Sequence, residues 1–392
     1  MENDYLFATL AVRAGESPCA ATGALDTPIY QSTTFVSADA DEMAAVFSEE
    51  KSGYMYTRYG NPTIHALEEK VAALEGGEAA LAFSTGMAAI SSAILGCVKA
   101  GDHVVATRML YGAAYNFLNA KIPRMGAATT FVASTRVEEL ERAIRPNTRL
   151  IYFETPSNPT LEIVDIAAVA GMAQARGIPT LIDNTFATPA LQRPLALGVT
   201  AVVHSATKYL CGHGDAMGGI VVGPKSYISE LVHEVIRDYG GVLSPFNAWL
   251  ILRGIRTLHL RMPAHCANAQ KVAEFLAAHP RVERVNYPGL PRHPRHEVAR
   301  KQMSAFGAII SMEVKGGYEA GKKVMDRVKL FSRAASLGDT RSLIVHSAST
   351  SHRAVPREER VAMGITDGLV RLSVGVEAVE DLIADLDHAL AD

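Results

Sequence analysis

From residue 61 onward, short apolar runs alternate with amphipathic stretches of helix length, and this alternation constrains the fold more than any other feature of the chain. The candidate strands are 103–107, 128–132, 150–154, 180–183, 201–204 and 219–222, with helix-like patterns such as 137–144 and 166–176 between them. Strand and helix in alternation predict an α/β fold whose mostly parallel sheet is covered by helices on both faces. Ligands of such sheets bind at the carboxyl ends of the strands. The residues just after each run are therefore the ones to read for chemistry.

Residues 1–60 carry turn signals, Thr27-Pro28 and Ser52-Gly53, with little sustained periodicity, so they read as an extended arm packed on something else. Residues 63–75 open the first helical pattern, and 61–260 read as the larger unit. A long helical stretch at 247–260 precedes a smaller α+β unit, 261–392, with strands expected at 309–314 and 370–373. A chain of 392 residues has the length for two such units.

Composition excludes several function classes. The net charge of −3, with no cluster of Lys and Arg among aromatics, gives no field to hold a phosphate backbone, so no nucleic-acid partner is expected. Cys19, Cys97, Cys211 and Cys266 lie far apart without C-x-x-C or zinc-ligand spacing, which fits a reducing cytoplasm and predicts no metal site. His204, His213, His346 and His352 also lack metal spacing and read as structural or solvent-facing. Met1–Leu10, with Glu2 and Asp4, does not read as a secretory signal. Residues 79–98 hold no Asp, Lys or Arg, yet they are rich in Ser, Thr, Gly and Ala; a strand followed by a buried helix accounts for them without a membrane. The run Gly212-His-Gly-Asp-Ala-Met-Gly-Gly219 does not have dinucleotide-loop spacing. Tyr209 and Trp249 read as packing residues.

Three strand ends present polar groups in series: Glu154-Thr-Pro-Ser-Asn158-Pro, Asp183-Asn-Thr185, and His204-Ser205-Ala-Thr207-Lys208. A lysine after a strand, flanked by two hydroxyls able to bind phosphate oxygens and neighboured by an aspartate, supplies what pyridoxal 5'-phosphate (PLP) requires. Desolvation would favour the neutral, nucleophilic amine. The aspartate would stabilise a protonated pyridine nitrogen, making the ring an electron sink. Ser84-Thr-Gly86-Met87 falls between an apolar strand and a helix-forming run, where backbone N–H groups bind phosphate.

These strings, with Tyr56-Thr-Arg58-Tyr-Gly-Asn-Pro-Thr63, Tyr111-Gly112, Ser205-Ala-Thr-Lys-Tyr-Leu210, Ser336-Leu-Gly-Asp339 and Leu369-Val-Arg371-Leu-Ser-Val-Gly375, resemble the Cys/Met-metabolism PLP enzyme family over nearly the full chain. The resemblance implies the aspartate-aminotransferase-like fold, fold type I. It implies that Lys208 binds the cofactor aldehyde, Asp183 meets the pyridine nitrogen, and Tyr111 stacks on the ring and assists proton transfer. Gly86, Met87, Ser205 and Thr207 would hold the phosphate, while Arg371, Asn158 and the Ser336 backbone would take the substrate α-carboxylate. Tyr56 and Arg58 would reach the phosphate of a neighbouring subunit in a homotetramer built from dimers.

Within the family, cystathionine enzymes commonly place acidic residues where this chain has Met55 and Ala335. An apolar pocket suits a thioether or acyl group, because a distal ammonium there would go unpaired. The stretches 261–270 and 330–338 resemble the methionine γ-lyases of the family. Ala113, where many of those carry Cys, and Ser347, where Pro is usual, depart from that pattern. The expected activity is γ-elimination from L-methionine. The alternatives are O-acetyl- or O-succinylhomoserine sulfhydrylation, then cystathionine γ-lyase or γ-synthase chemistry.

Overall fold

The apolar runs pair into a seven-stranded sheet made of Ala79–Phe83 (β1), His103–Thr107 (β2), Ala128–Val132 (β3), Thr148–Glu154 (β4), Thr180–Asp183 (β5), Ala201–His204 (β6) and Gly219–Gly223 (β7). The computed structural model describes residues 5–350, 353 and 356–391. Strand order is β1-β7-β6-β5-β4-β2-β3, and β7 runs antiparallel to both of its neighbours while the remaining pairings are parallel. This is the mostly parallel α/β sheet that the alternating pattern predicts.

Alternate residues of each strand serve opposite layers, as the period of two requires. Val104, Ala106, Tyr152, Leu181 and Val203 join a cluster with Ile90 and Ile94 of the helix Gly86–Leu95. Val105, Ile151, Phe153, Ile182 and Val202 pack on the other face with Ile166, Val169 and Ala173 of the helix Ile166–Gln174. Residues 79–98 resolve into β1, a turn and this buried helix. Among the described residues no helix is long and apolar enough to cross a membrane.

A second sheet contains Val282–Asn286 (β8), Ile309–Val314 (β9), Ser332–Arg333 (β10), Leu343–His346 (β11) and Leu369–Ser373 (β12), in the order β10-β11-β12-β9-β8. Only β10 and β11 pair in parallel; the other pairs are antiparallel. The helix Leu258–Ala278 leads from the first sheet to the second.

Two expectations need correction. The stretch 247–260 is two helices, Pro245–Ile255 and Leu258–Ala278, because Gly254 gives its carbonyl to Thr257 Oγ1 and to the Arg261 guanidinium. The arm is not wholly extended: Phe7–Arg13 and Ala40–Phe47 are helical, and Leu10 and Ala11 of the first are buried in the large core cluster. An ion pair pins that end of the arm. Lys70 Nζ lies 2.8 Å from Glu16 Oε2 with both side chains almost fully buried, donates to Ala11 O at 2.9 Å, and shares Glu16 with Arg256. Glu2, Asp4 and His352 lie outside the described residues.

Candidate active site

Strands β4, β5 and β6 end side by side, and the register that pairs Glu154 with Asp183 puts two carboxyl groups next to each other at the sheet edge. Both are buried. Burial first, and then the neighbouring Asp183, raises the Glu154 carboxyl well above the usual range. Burial also raises Asp183, opposed by hydrogen bonds from Thr185 and by the charge of His204. Asp183 Oδ1 accepts from Thr185 N at 2.9 Å, and Thr185 Oγ1 accepts from Ser205 N at 2.9 Å, so the two strand ends are fixed to each other. Glu154 Oε2 accepts from the Tyr111 backbone at 2.8 Å and so anchors the turn that presents the half-exposed Tyr111 ring.

Lys208 follows β6 in a tight turn closed by Lys208 N to Ser205 O and by Gly212 N to Lys208 O. Its Nζ donates to Ser336 Oγ at 3.0 Å. Burial, with the Arg371 charge second, lowers its pKa to about 8. Arg371, in the middle of β12, donates from Nη1 to Asn158 Oδ1 and from Nη2 to Ser336 O, each at 2.9 Å, while its buried Nε has no partner. Burial pulls its pKa down to about 10. An unpaired buried guanidinium N–H is costly, and a carboxylate ligand is its natural complement. The loop 154–159 that carries Asn158 contains two cis X-Pro bonds, Thr155-Pro156 and Asn158-Pro159.

The fit to PLP can be tested on the phosphate cradle. Thr85 caps the helix Gly86–Leu95 by accepting from Ala88 N at 3.0 Å, which leaves the Gly86 and Met87 amides as first-turn donors without helical acceptors. A Cβ at Gly86 would come within 2.7 Å of Ser205 Cβ and 3.1 Å of Ser205 Cα, so only glycine allows the helix start to close on the Ser205 loop. Free amides at a helix N-terminus beside a serine hydroxyl are a phosphate site. Thr207 differs from expectation in detail: its Oγ1 donates to Gly218 O at 3.2 Å and accepts from Gly218 N at 3.1 Å. The set fits PLP.

The structure thus brings Lys208, Ser336, Arg371 and Asn158 into one hydrogen-bonded group and sets Asp183, Ser205 and Gly86 beside it. Tyr56 and Arg58 are not part of this group. Arg58 lies over the rings of Tyr56 and Tyr59 at 5.2 and 5.3 Å and is exposed. The sequence assigns no role to Glu154 or Glu75 and reads His204 as structural or solvent-facing; His204 is buried, with its Nε2 2.6 Å from Glu75 Oε1. Glu154 ends a strand as Asp183 does, and that shared position was the available signal; Glu75 carried none, because only tertiary packing brings it to His204.

The chain is 53% identical over 386 residues to an L-methionine gamma-lyase of Porphyromonas gingivalis, covering 98% of this chain and 96% of the relative. It is 50% identical over 388 residues to an L-methionine gamma-lyase of Fusobacterium nucleatum subsp. polymorphum, covering 98% of each. The solved structure of metB from Corynebacterium glutamicum superposes with a TM-score of 0.94 at 44% identity, covering 100% of this chain and 99% of the other. Residues 8–391 match the Cys/Met metabolism PLP-dependent enzymes, and the chain belongs to that family.

Proposed function

We propose that the protein is an L-methionine γ-lyase, converting methionine and water to methanethiol, 2-oxobutanoate and ammonia. The observation that carries this is the join between the Lys208 amine and the Arg371 carboxylate site through a single residue, Ser336, in a chain half identical to methionine γ-lyases. Bound PLP would supply an electron sink that makes the substrate Cα and Cβ protons removable.

The chain's own residues do the rest. Gly86, Met87 and Ser205 would hold the phosphate, with Thr207 joining them once its hydroxyl turns from Gly218 O, and with Tyr56 and Arg58 serving a neighbouring subunit's site. Asp183, kept in place by Thr185, meets the pyridine nitrogen. Arg371, aligned by Asn158 and the Ser336 carbonyl, grips the substrate α-carboxylate. Lys208 Nζ, whose lowered pKa leaves part of it neutral near pH 7, would take the Cα proton, and removal of a Cβ proton would then let the γ-sulfur leave as thiolate with the C–S bond pair. Tyr111, presented by the turn that Glu154 anchors, would stack on the ring and give a proton to the departing thiolate. Met55 and Ala335 leave the pocket without the acid that a distal ammonium would need.

We further read the chain as an arm, 1–60, a PLP-binding unit, 61–260, and a smaller unit, 261–392, assembled as a cytoplasmic homotetramer. The wholly exposed Val36, with Leu6, Leu25 and Phe47 also exposed, gives the arm an apolar surface that a second copy would cover. The test supplies the purified protein with methionine, cystathionine, or an O-acylhomoserine with and without sulfide, and follows oxoacid and thiol. Oxobutanoate and methanethiol from methionine alone are expected. Product formed only when sulfide and an O-acylhomoserine are both present overturns the lyase reading.

A further inference from the structure

The helix Leu258–Ala278 carries a polar stripe on a buried face. Arg261, His265 and Asn268 are spaced i, i+4, i+7 and so share one side of the helix. Arg261 and His265 are buried. A buried guanidinium normally takes a carboxylate, but among the described residues Arg261 forms no ion pair. Its Nη1 donates to Tyr209 O at 2.9 Å, its Nη2 to Gly254 O at 2.8 Å and Leu210 O at 3.5 Å, and its Nε to Thr257 Oγ1 at 3.1 Å. One turn on, His265 Nδ1 donates to Val374 O at 2.8 Å. Asn268 Nδ2 donates to Gly375 O at 3.1 Å and to Glu377 O at 2.8 Å.

The two sets of carbonyls belong to different parts of the site. Tyr209 and Leu210 directly follow Lys208, while Val374 and Gly375 follow Arg371 at the end of β12. The backbone is shaped to admit the stripe. A Cβ at Gly212 would lie 2.2 Å from Arg261 Nη1, and one at Gly254 would lie 2.1 Å from the Cys211 carbonyl oxygen. Glycine at 212 lets the lysine turn settle against Arg261 of this helix, and glycine at 254 lets the same turn close on the preceding helix Pro245–Ile255. The rise of 1.5 Å per residue makes the stripe a rigid span of about 10 Å.

We propose that Arg261, His265 and Asn268 are positioning residues: one face of this helix sets the separation between the Lys208 turn and the Arg371 strand, and thereby between the reacting amine and the carboxylate site. The inference rests on the roles given above to Lys208 and Arg371. Arg261 governs the cofactor end, and Asn268 governs the carboxylate end. Simple packing between the two sheets would not divide the effects in this way.

The test uses full-length, PLP-loaded protein and the variants Arg261→Lys, Asn268→Asp and Asn268→Ala. It reads the PLP dissociation constant, the melting temperature, and the dissociation constants of the unreactive amino acids norleucine and norvaline from the change they cause in cofactor absorbance. Lysine cannot fill several carbonyls with a planar fork, so Arg261→Lys is expected to weaken PLP roughly tenfold. Asn268→Asp and Asn268→Ala are expected to weaken both amino acids roughly fivefold and leave PLP affinity unchanged. The proposal is overturned if the variants change melting temperature alone, or if all of them weaken cofactor and amino acid in equal proportion. If Arg261→Lys fails to fold, the two Asn268 variants decide. A parent protein that takes norvaline but not norleucine would count against the methionine reading and leave this comparison intact.

Discussion

The amine of Lys208 should be an unusually good nucleophile in the cofactor-free protein. Burial, with the Arg371 charge second, lowers its pKa from 10.5 to about 8. At pH 7 roughly one such amine in ten is neutral, against roughly one in three thousand for an ordinary lysine, so the environment raises the reactive fraction about three-hundredfold. The assay is the rate at which cofactor-free protein captures PLP, followed by absorbance from about pH 6.5 to 11.5, a window spanning both midpoints. The rate should climb with pH, reach half its plateau near pH 8 and level off about one to two units higher, because the neutral amine accumulates above its pKa. Arg371→Leu removes a cation that opposes the ammonium, so the midpoint should move upward in that variant. A midpoint in the ordinary lysine range in the parent protein would refute the argument, as would a downward shift in Arg371→Leu.

Other expectations follow from the same structure. Gly86→Ala sets two effects against each other: helix propensity favours alanine by up to about 1 kcal/mol, but the new Cβ would meet Ser205 Cβ at 2.7 Å. PLP affinity should fall at least tenfold by equilibrium dialysis, and unchanged affinity would show that the cradle lies elsewhere. Glu16→Leu strands the buried Lys70 with only a carbonyl acceptor and should cost about 3–5 kcal/mol in chemical denaturation. Lys70→Met, which leaves Glu16 paired with Arg256, should cost less; the reverse order would contradict the ion-pair assignment. Glu154→Gln removes the carboxyl beside Asp183 and still offers an oxygen to Tyr111 N, so PLP should stay bound, whereas Asp183→Asn should weaken it. Equal losses in the two variants would mean that the carboxylates are not distinguished.

The large sheet was legible because most of its strands are short, apolar and buried, and 103–107, 128–132, 180–183 and 201–204 are strands over those same residues, although 128–132 is only partly buried. The small sheet was less so. Val282–Asn286 is exposed along much of its length and carries Glu283 and Arg284, so it lacks the apolar run that marks a buried strand. The arm helix Phe7–Arg13 is too short to show a period, and its burial depends on the helix Pro62–Glu75, more than forty residues on. The candidate site was read from residues that follow strands and from motifs that the family resemblance supplies. Arg261 escaped that reading because it lies inside a helix and meets the Lys208 turn only in the folded chain. Tyr56 and Arg58 illustrate the other limit: within one chain they contact each other and Tyr59, apart from the Lys208 group.

The central claim is that Lys208 carries the cofactor. Borohydride reduction of the PLP-loaded protein, followed by proteolysis and mass spectrometry of the labelled peptide, tests it directly. The account predicts that the pyridoxyl label lies on Lys208 and that Lys208→Ala takes up no label at the site. A label on any other lysine of the parent protein would contradict it.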